Sequence, residues 1–343
     1  MKALFIGGTG TISADIVALA ASRGWEMTLL NRGLRTLELP QGAATITADI
    51  GDEAAVAAAI AGKHYDVIAD FICFTPEQAQ RDVRLFAGKC DQFFFISSAS
   101  AYHKPVQHYL IDESTPLHNP HWQYSRDKAA CEALFLEAYR QSGFPVTLIR
   151  PSHTYCARSL PVPVHGKNGA YQVLKRMLEG KPVIVPGDGT SLWTITHSTD
   201  FAKAFVGLMG HTKAVGEAFT ITSDEQLTWD QIVKGIGRAL GKEALPYHVA
   251  SDFLVACDPS LEGPLLGDKS NTVVFDNSKV KRLVPDFVCT TRFDLGVRMY
   301  VAYLDAHPEM KVADPAFDAW CDRVIAAHEA GKRAFAQMQE QPV

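Results

Sequence analysis

Thirteen residues at the start of the chain, MKALFIGGTGTIS, constrain its fold more than any other segment. A short apolar strand, Ala3-Leu4-Phe5-Ile6, runs into a glycine-rich turn, Gly7-Gly8-Thr9-Gly10. The sequence then turns helical, rich in Ala, Ile, Val and Leu to about Ser22. A strand that empties through glycines into a helix N-terminus gathers backbone N–H groups and the positive end of the helix dipole at one spot, where a pyrophosphate fits. Glycine is needed because a Cβ would block the phosphate and resist positive φ. Gly7, Thr9, Gly10, Thr11 and Ile12 are therefore candidate cofactor contacts.

The pattern that follows suits this start. Apolar strands are expected at Ala3–Ile6, Glu26–Leu30, Thr45–Ala48, Val67–Phe71, Gln92–Ser97 and Val146–Arg150. They alternate with helical stretches at Ser13–Arg23, Glu53–Ala61, Pro76–Ala87 and Tyr124–Ser142. Such alternation predicts an α/β, Rossmann-type doubly wound parallel sheet, with the ligand at the C-terminal strand ends. After Arg150, prolines and glycines punctuate the chain. Helices are expected around Ala170–Glu179, Thr199–Met209, Thr228–Leu240 and Pro315–Gln339, with a strand at Ala218–Thr222 and Thr228 as an N-cap. The division read from this is a dinucleotide-binding domain over 1–150, whose sheet recruits later segments if needed, and a smaller, loop-rich substrate-binding lobe over 151–343.

Composition narrows the partners. Lys and Arg number 33 against 38 Asp and Glu, a net charge of −5, so there is no basic excess to suggest nucleic acid. No apolar run is long enough to span a bilayer, and the first apolar stretch is expected to be a strand, not a signal peptide. The seven cysteines are scattered without a CxxC, as free thiols in a reducing cytoplasm would be. No metal site is expected from the histidine and cysteine spacing.

Tyr124-Ser125-Arg126-Asp127-Lys128 opens a helix, and four residues of spacing put Tyr124 and Lys128 on one face. A phenol is a poor base at neutral pH, but a neighbouring cation stabilises its phenolate. Tyr124 could then take a proton from an alcohol, or give one to a carbonyl, as hydride moves to or from a nicotinamide. Upstream, the strand Phe93-Phe94-Phe95-Ile96 ends in Ser97-Ser98, and a hydroxyl there can bond the reacting oxygen.

Together these residues resemble the extended short-chain dehydrogenase/reductase family, which includes nucleotide-sugar epimerases and dehydratases. The resemblance runs from Met1 to about Leu304. It implies Tyr124 as acid/base, Lys128 as partner and holder of the nicotinamide ribose, and Ser98 as the catalytic hydroxyl, with Ser100 nearby. Gly7, Gly10 and Ser13 take the three glycine positions of the fingerprint. Asp49-Ile50 matches the pair beside the adenine. Arg150-Pro151-Ser152-His153 matches the strand end that carries nicotinamide and substrate contacts, so Pro151 joins the cofactor residues. His197 and Asp200 match an HxxD segment, which a helix cap and packing also explain. The substrate is expected to touch Ser100, His153, His165, Lys167, Tyr171 and Trp193. The family also implies a homodimer built from the helices Pro76–Ala87 and Tyr124–Ser142.

Four departures refine this. Ser13 replaces the third fingerprint glycine. Asn31-Arg32 stands where NAD-specific members carry a carboxylate, which favours NADP over NAD because nothing repels a 2′-phosphate and Arg32 could pair with it. Trp193 replaces an arginine that grips a nucleotide-sugar pyrophosphate; it could stack on a sugar or base instead. The SSASAY segment lacks the Asp-Glu pair that sugar 4,6-dehydratases use. The expected function is hydride transfer at a secondary alcohol or ketone of a sugar or sugar derivative, by a dehydrogenase, reductase or epimerase. The alternative is a non-catalytic dinucleotide- or RNA-binding protein that keeps the fold, since chloroplast stem-loop-binding proteins with similar glycine motifs associate with RNA.

Overall fold

A computed structural model describes residues 1–33 and 42–339. Its main sheet has seven strands: β1 (Lys2–Ile6), β2 (Glu26–Asn31), β3 (Ala44–Thr47), β4 (Tyr65–Asp70), β5 (Cys90–Ile96), β6 (Val146–Pro151) and β7 (Ala218–Ile221). Their order is β7-β6-β5-β4-β1-β2-β3 and every pairing is parallel. The chain reverses direction of travel across the sheet between β1 and β4, which opens a crevice at the C-terminal strand ends.

The inner strands are rich in buried apolar residues because both faces are covered, whereas the edge strand β3 is mostly exposed. Alternate residues of β1 and β5 serve different cores. Ala3, Phe5, Phe94 and Ile96 join the cluster containing Ile16 and Val17 of α1 (Ser13–Ser22). Leu4, Ile6, Phe93 and Phe95 join the opposite cluster. There they meet Val56 of α2 (Glu53–Ala59), Phe86 of α3 (Pro76–Phe86) and Phe135 of α4 (Gln123–Ser142). The helix α3 starts on a capping box, with Thr75 accepting from Gln78 and Gln78 answering the Thr75 backbone.

Two compact units result, and neither is a continuous stretch of chain. The first comprises 1–156, 194–225 and 273–292; the second comprises 157–193, 226–272 and 293–343. A single boundary near residue 150 is thus replaced by several crossings. The physical reason is the open edge of β6. It is completed by β7, and the face beside it is covered by α5 (Ser198–Leu208) and α6 (Ser278–Leu283).

In the second unit, strands Val183–Pro186 and Pro246–Val249 pair in parallel. The helix Trp229–Ala239 is capped by Thr228 through a capping box with Gln231. The C-terminal helix Pro315–Gln339 finds its partner in Tyr171–Leu178. Arg176, 1% exposed, reaches Asp318 at 2.6 Å and Asp322 at 2.8 Å across that contact. Among the described residues, no helix is long and apolar enough to cross a membrane, and no group of three or more His, Cys, Asp or Glu could hold a metal ion.

Candidate active site

A cavity of about 590 Å³ opens at the C-terminal ends of β1, β2 and β4 in the first unit. Gly7, Thr9, Gly10, Thr11, Ile12, Asn31, Arg32, Asp49 and Ile50 all line it. The turn fits a dinucleotide by its lack of side chains. Gly7 has φ +76°, and a Cβ there would sit 2.7 Å from Ile72 Cγ2. A Cβ on Gly8 would meet Leu29 Cδ2 at 3.0 Å. Ser13 gives the third fingerprint position a purpose. Its Oγ accepts from Gly10 N–H at 2.8 Å and donates to Gly7 O at 2.8 Å, so the side chain folds back and pins the turn. At the far end, Asn31 Oδ1 accepts the Gly33 N–H at 2.9 Å, and Arg32 is exposed on the rim.

Phe71, Ile72, Phe74 and Gln78 also line the cavity and were not singled out from sequence. The signal was available: Phe71 to Phe74 directly follow β4, and strand ends in such sheets face the ligand. Phe74 is 43% exposed and its ring lies 4.6 Å from Lys128 Nζ.

Lys128, 2% exposed, projects from the first turns of α4. Its ammonium donates to Cys73 O at 2.6 Å and Ile96 O at 2.7 Å, which ties α4 to the ends of β4 and β5. It stands 5.8 Å from the Tyr124 ring centroid. Burial pushes its pKa down, opposed by the charge of groups including Asp70 and Glu132. One turn further, Glu132 takes Arg150 Nε at 2.9 Å and Nη2 at 2.6 Å. Arg150 also donates to Tyr102 OH at 3.1 Å, and Tyr102 OH contacts Thr220 Oγ1 at 2.7 Å. This buried network locks α4, β6, β7 and the turn after β5 together.

Ser98, half-buried at the end of β5, contacts Ser100 Oγ at 2.8 Å. Ser100 in turn is buried and contacts Ser125 Oγ at 2.7 Å, so its hydroxyl is occupied within the protein. Pro151 closes β6 beside Ile221. His153 lies on the strand His153–Tyr155, opposite Ile195. His197 caps α5 through Thr199, and Asp200 accepts from Lys203 at 2.6 Å and from Thr291 N–H at 2.8 Å, so both have local structural roles.

His165, Lys167, Tyr171 and Trp193 belong to the second unit. His165 and Lys167 are exposed, and Tyr171 begins a helix. Trp193 corrects an expectation. It is 2% exposed and packs on Trp229 with centroids 5.4 Å apart, so it is core and not a stacking platform. Its strand, Leu192–His197, is buried at every residue from Trp193 on, which the sequence did not show.

An all-parallel sheet with a glycine-lined cavity at its switch point defines a Rossmann-type fold. The chain belongs to the NAD dependent epimerase/dehydratase family, whose model matches residues 3–222. It is 23% identical over 291 residues to 2′-dehydrokanamycin reductase of Streptomyces kanamyceticus, covering 84% of this chain and 80% of that protein. It is 26% identical over 256 residues to the chloroplast stem-loop binding protein of 41 kDa b of Arabidopsis thaliana, covering 70% of this chain and 63% of that one. Among solved structures, UDP-glucuronic acid 4-epimerase from Bacillus cereus, in complex with UDP-glucuronic acid and NAD, superposes with a TM-score of 0.71. That match covers 89% of this chain and 99% of the other, at 20% identity.

Proposed function

We propose that the protein is an NAD(P)-dependent oxidoreductase or epimerase acting at a secondary alcohol or ketone of a sugar derivative. The observation that carries this is Lys128, held by two backbone carbonyls one turn from Tyr124, at the edge of the strand ends that build the glycine-lined cavity. Gly7, Thr9, Gly10, Thr11 and Ile12 would take the pyrophosphate, and Asp49 and Ile50 the adenine. Asn31 and Arg32 would take the adenosine ribose, and Tyr124, Lys128 and Pro151 the nicotinamide end. Bound there, the nicotinamide supplies or accepts the hydride. Lys128 makes the Tyr124 phenol more acidic by charge, so its Oη can give a proton to a carbonyl oxygen or take one from an alcohol. Ser98 holds that oxygen. The absence of a carboxylate at Asn31-Arg32 favours NADP over NAD.

The family resemblance further supports a homodimer through α3 and α4, which sedimentation would test. Likeness to a stem-loop-binding protein raises RNA binding as an alternative, against which the net charge of −5 argues. The test of the leading reading has two arms. Mass spectrometry of nucleotide released from denatured protein, with NAD and NADP titrations, identifies the cofactor. A panel of UDP-hexoses, UDP-uronic acids and keto-sugars identifies turnover, which Tyr124→Phe should lower about 10²–10⁴-fold while cofactor affinity stays near wild type. Retained turnover in that variant would sink the mechanism.

A further inference from the structure

Tyr124 and Lys128 leave one feature of this region unused. Ser125, adjacent to Tyr124, is fully buried and carries a hydroxyl in the first turn of α4. Among the described residues its hydroxyl has one hydrogen-bond partner, Ser100 Oγ at 2.7 Å. Ser100 Oγ then contacts Ser98 Oγ at 2.8 Å, and Ser98 Oγ also accepts the Ser100 backbone N–H at 3.2 Å. Asn119, itself buried, holds Ser100 O at 2.8 Å and keeps the turn in place.

Three hydroxyls in a row can be polarised in either direction or converge on the middle one, and convergence leaves the buried Ser100 proton without an acceptor. If Ser98 donates to Ser100 and Ser100 to Ser125, the last proton sits on Ser125 Oγ, buried and without an acceptor. That arrangement carries the full desolvation penalty of an unmade hydrogen bond. If Ser125 donates to Ser100 and Ser100 to Ser98, every inner proton is used. Ser98 Oγ then accepts twice, from the Ser100 hydroxyl and the Ser100 N–H, which fills both of its lone pairs. Its own proton is the only group left to point outward, from the end of β5. Chains of this kind also strengthen the terminal donor by mutual polarisation.

We propose that Ser125 and Ser100 are positioning residues that make Ser98 an obligate hydrogen-bond donor toward the reacting oxygen. This rests on the acid–base reading above. Ser98 so disposed can stabilise a carbonyl or alkoxide oxygen but cannot take up a proton from it, which leaves proton transfer to Tyr124. The same chain fixes the turn after β5 to the residue next to Tyr124, so both groups that touch the oxygen are set against each other through two hydrogen bonds.

Neutron diffraction from perdeuterated protein reads the polarity directly and requires no substrate. The Ser125 deuteron should lie toward Ser100, the Ser100 deuteron toward Ser98, and the Ser98 deuteron away from both. A Ser98 deuteron aimed at Ser100 overturns the proposal. The kinetic arm uses a sugar turned over in the panel above. Ser125→Ala should lower kcat about tenfold with KM changed less than twofold, the size expected for loss of one hydrogen bond. Ser125→Thr, which keeps the hydroxyl, should recover most of it. In a Ser98→Ala background, Ser125→Ala should have no further effect. Equal losses in both backgrounds mean a merely structural role and overturn the proposal. Tyr124→Phe leaves the hydroxyl chain intact, so its failure would count against the acid–base reading alone.

Discussion

Asp70, Asp82 and Arg81 form a buried knot beside the Lys128 carbonyl cage. Both carboxylates are fully buried, and Arg81 reaches Asp82 at 2.7 Å and Asp70 at 3.3 Å. Burial, and then the charge of Asp70, hold Asp82 well above the usual carboxylate range; burial also raises Asp70. Two carboxyls in one dry site share a proton because both cannot ionise cheaply. A carboxyl raised in the folded state contributes stability that is fully present below its unfolded pKa and lost as pH rises toward the folded value. With an ordinary Asp value of 3.8, the loss begins near pH 4. Asp82→Asn keeps the shape and removes the titration. Between pH 4 and 7 its urea-derived stability should therefore gain on wild type by on the order of 1–3 kcal/mol. A difference independent of pH would show that Asp82 is ionised throughout. Asp82→Ala, by contrast, leaves the buried Arg81 without the oxygen that accepts its Nε and Nη2 hydrogen bonds and should cost about 1–3 kcal/mol at every pH.

At the scale of the element, the strand–turn–helix unit β1–α1 concentrates the most demanding geometry. Gly7→Ala would force a Cβ to 2.7 Å from Ile72 and hold a side-chain-bearing residue at φ +76°. The strain alone is about 1–3 kcal/mol, and relief moves the turn that faces the cavity. Dinucleotide affinity measured by calorimetry should fall at least tenfold; wild-type affinity would mean that the turn does not carry the phosphate. This unit was also the most legible in the sequence, because a glycine run between an apolar strand and a helix admits few conformations. The inner strands of the main sheet were readable for a related reason: covered on both faces, they carry short apolar runs such as Phe93-Phe94-Phe95-Ile96, while the edge strand β3 is mostly exposed. The second unit was harder to read. Its strands are short and carry no periodicity, so Trp193 on its strand could be assigned to either face, and only its packing on Trp229 decides. The Ser98–Ser100–Ser125 chain was out of reach for another reason. Its last link joins residues 25 apart through a tertiary contact that no local pattern encodes.

For the whole molecule, the decisive feature is that the chain completes its first unit late. Residues 1–156 supply six of the seven strands, yet β7, α5 and α6 arrive only after residue 194. Phe201, Phe205, Leu208, Phe219 and Ile221 are all 0% exposed. At about 1.5–3 kcal/mol for each buried side chain, they contribute on the order of 10 kcal/mol. That is comparable to the roughly 5–15 kcal/mol by which a whole domain is stable. Without them β6 also presents an open edge, a template for pairing with other chains. A fragment ending at residue 156 should therefore show no cooperative thermal transition, bind a hydrophobic dye and aggregate at micromolar concentration. A sharp melting transition in that fragment would show that the later segments decorate an autonomous domain instead of completing it. Dinucleotide binding separates fold from contact in the same sample. Every residue lining the cavity lies between Gly7 and Ile96, so the fragment keeps the whole lining. Loss of binding in it must come from loss of the sheet that holds those residues in place.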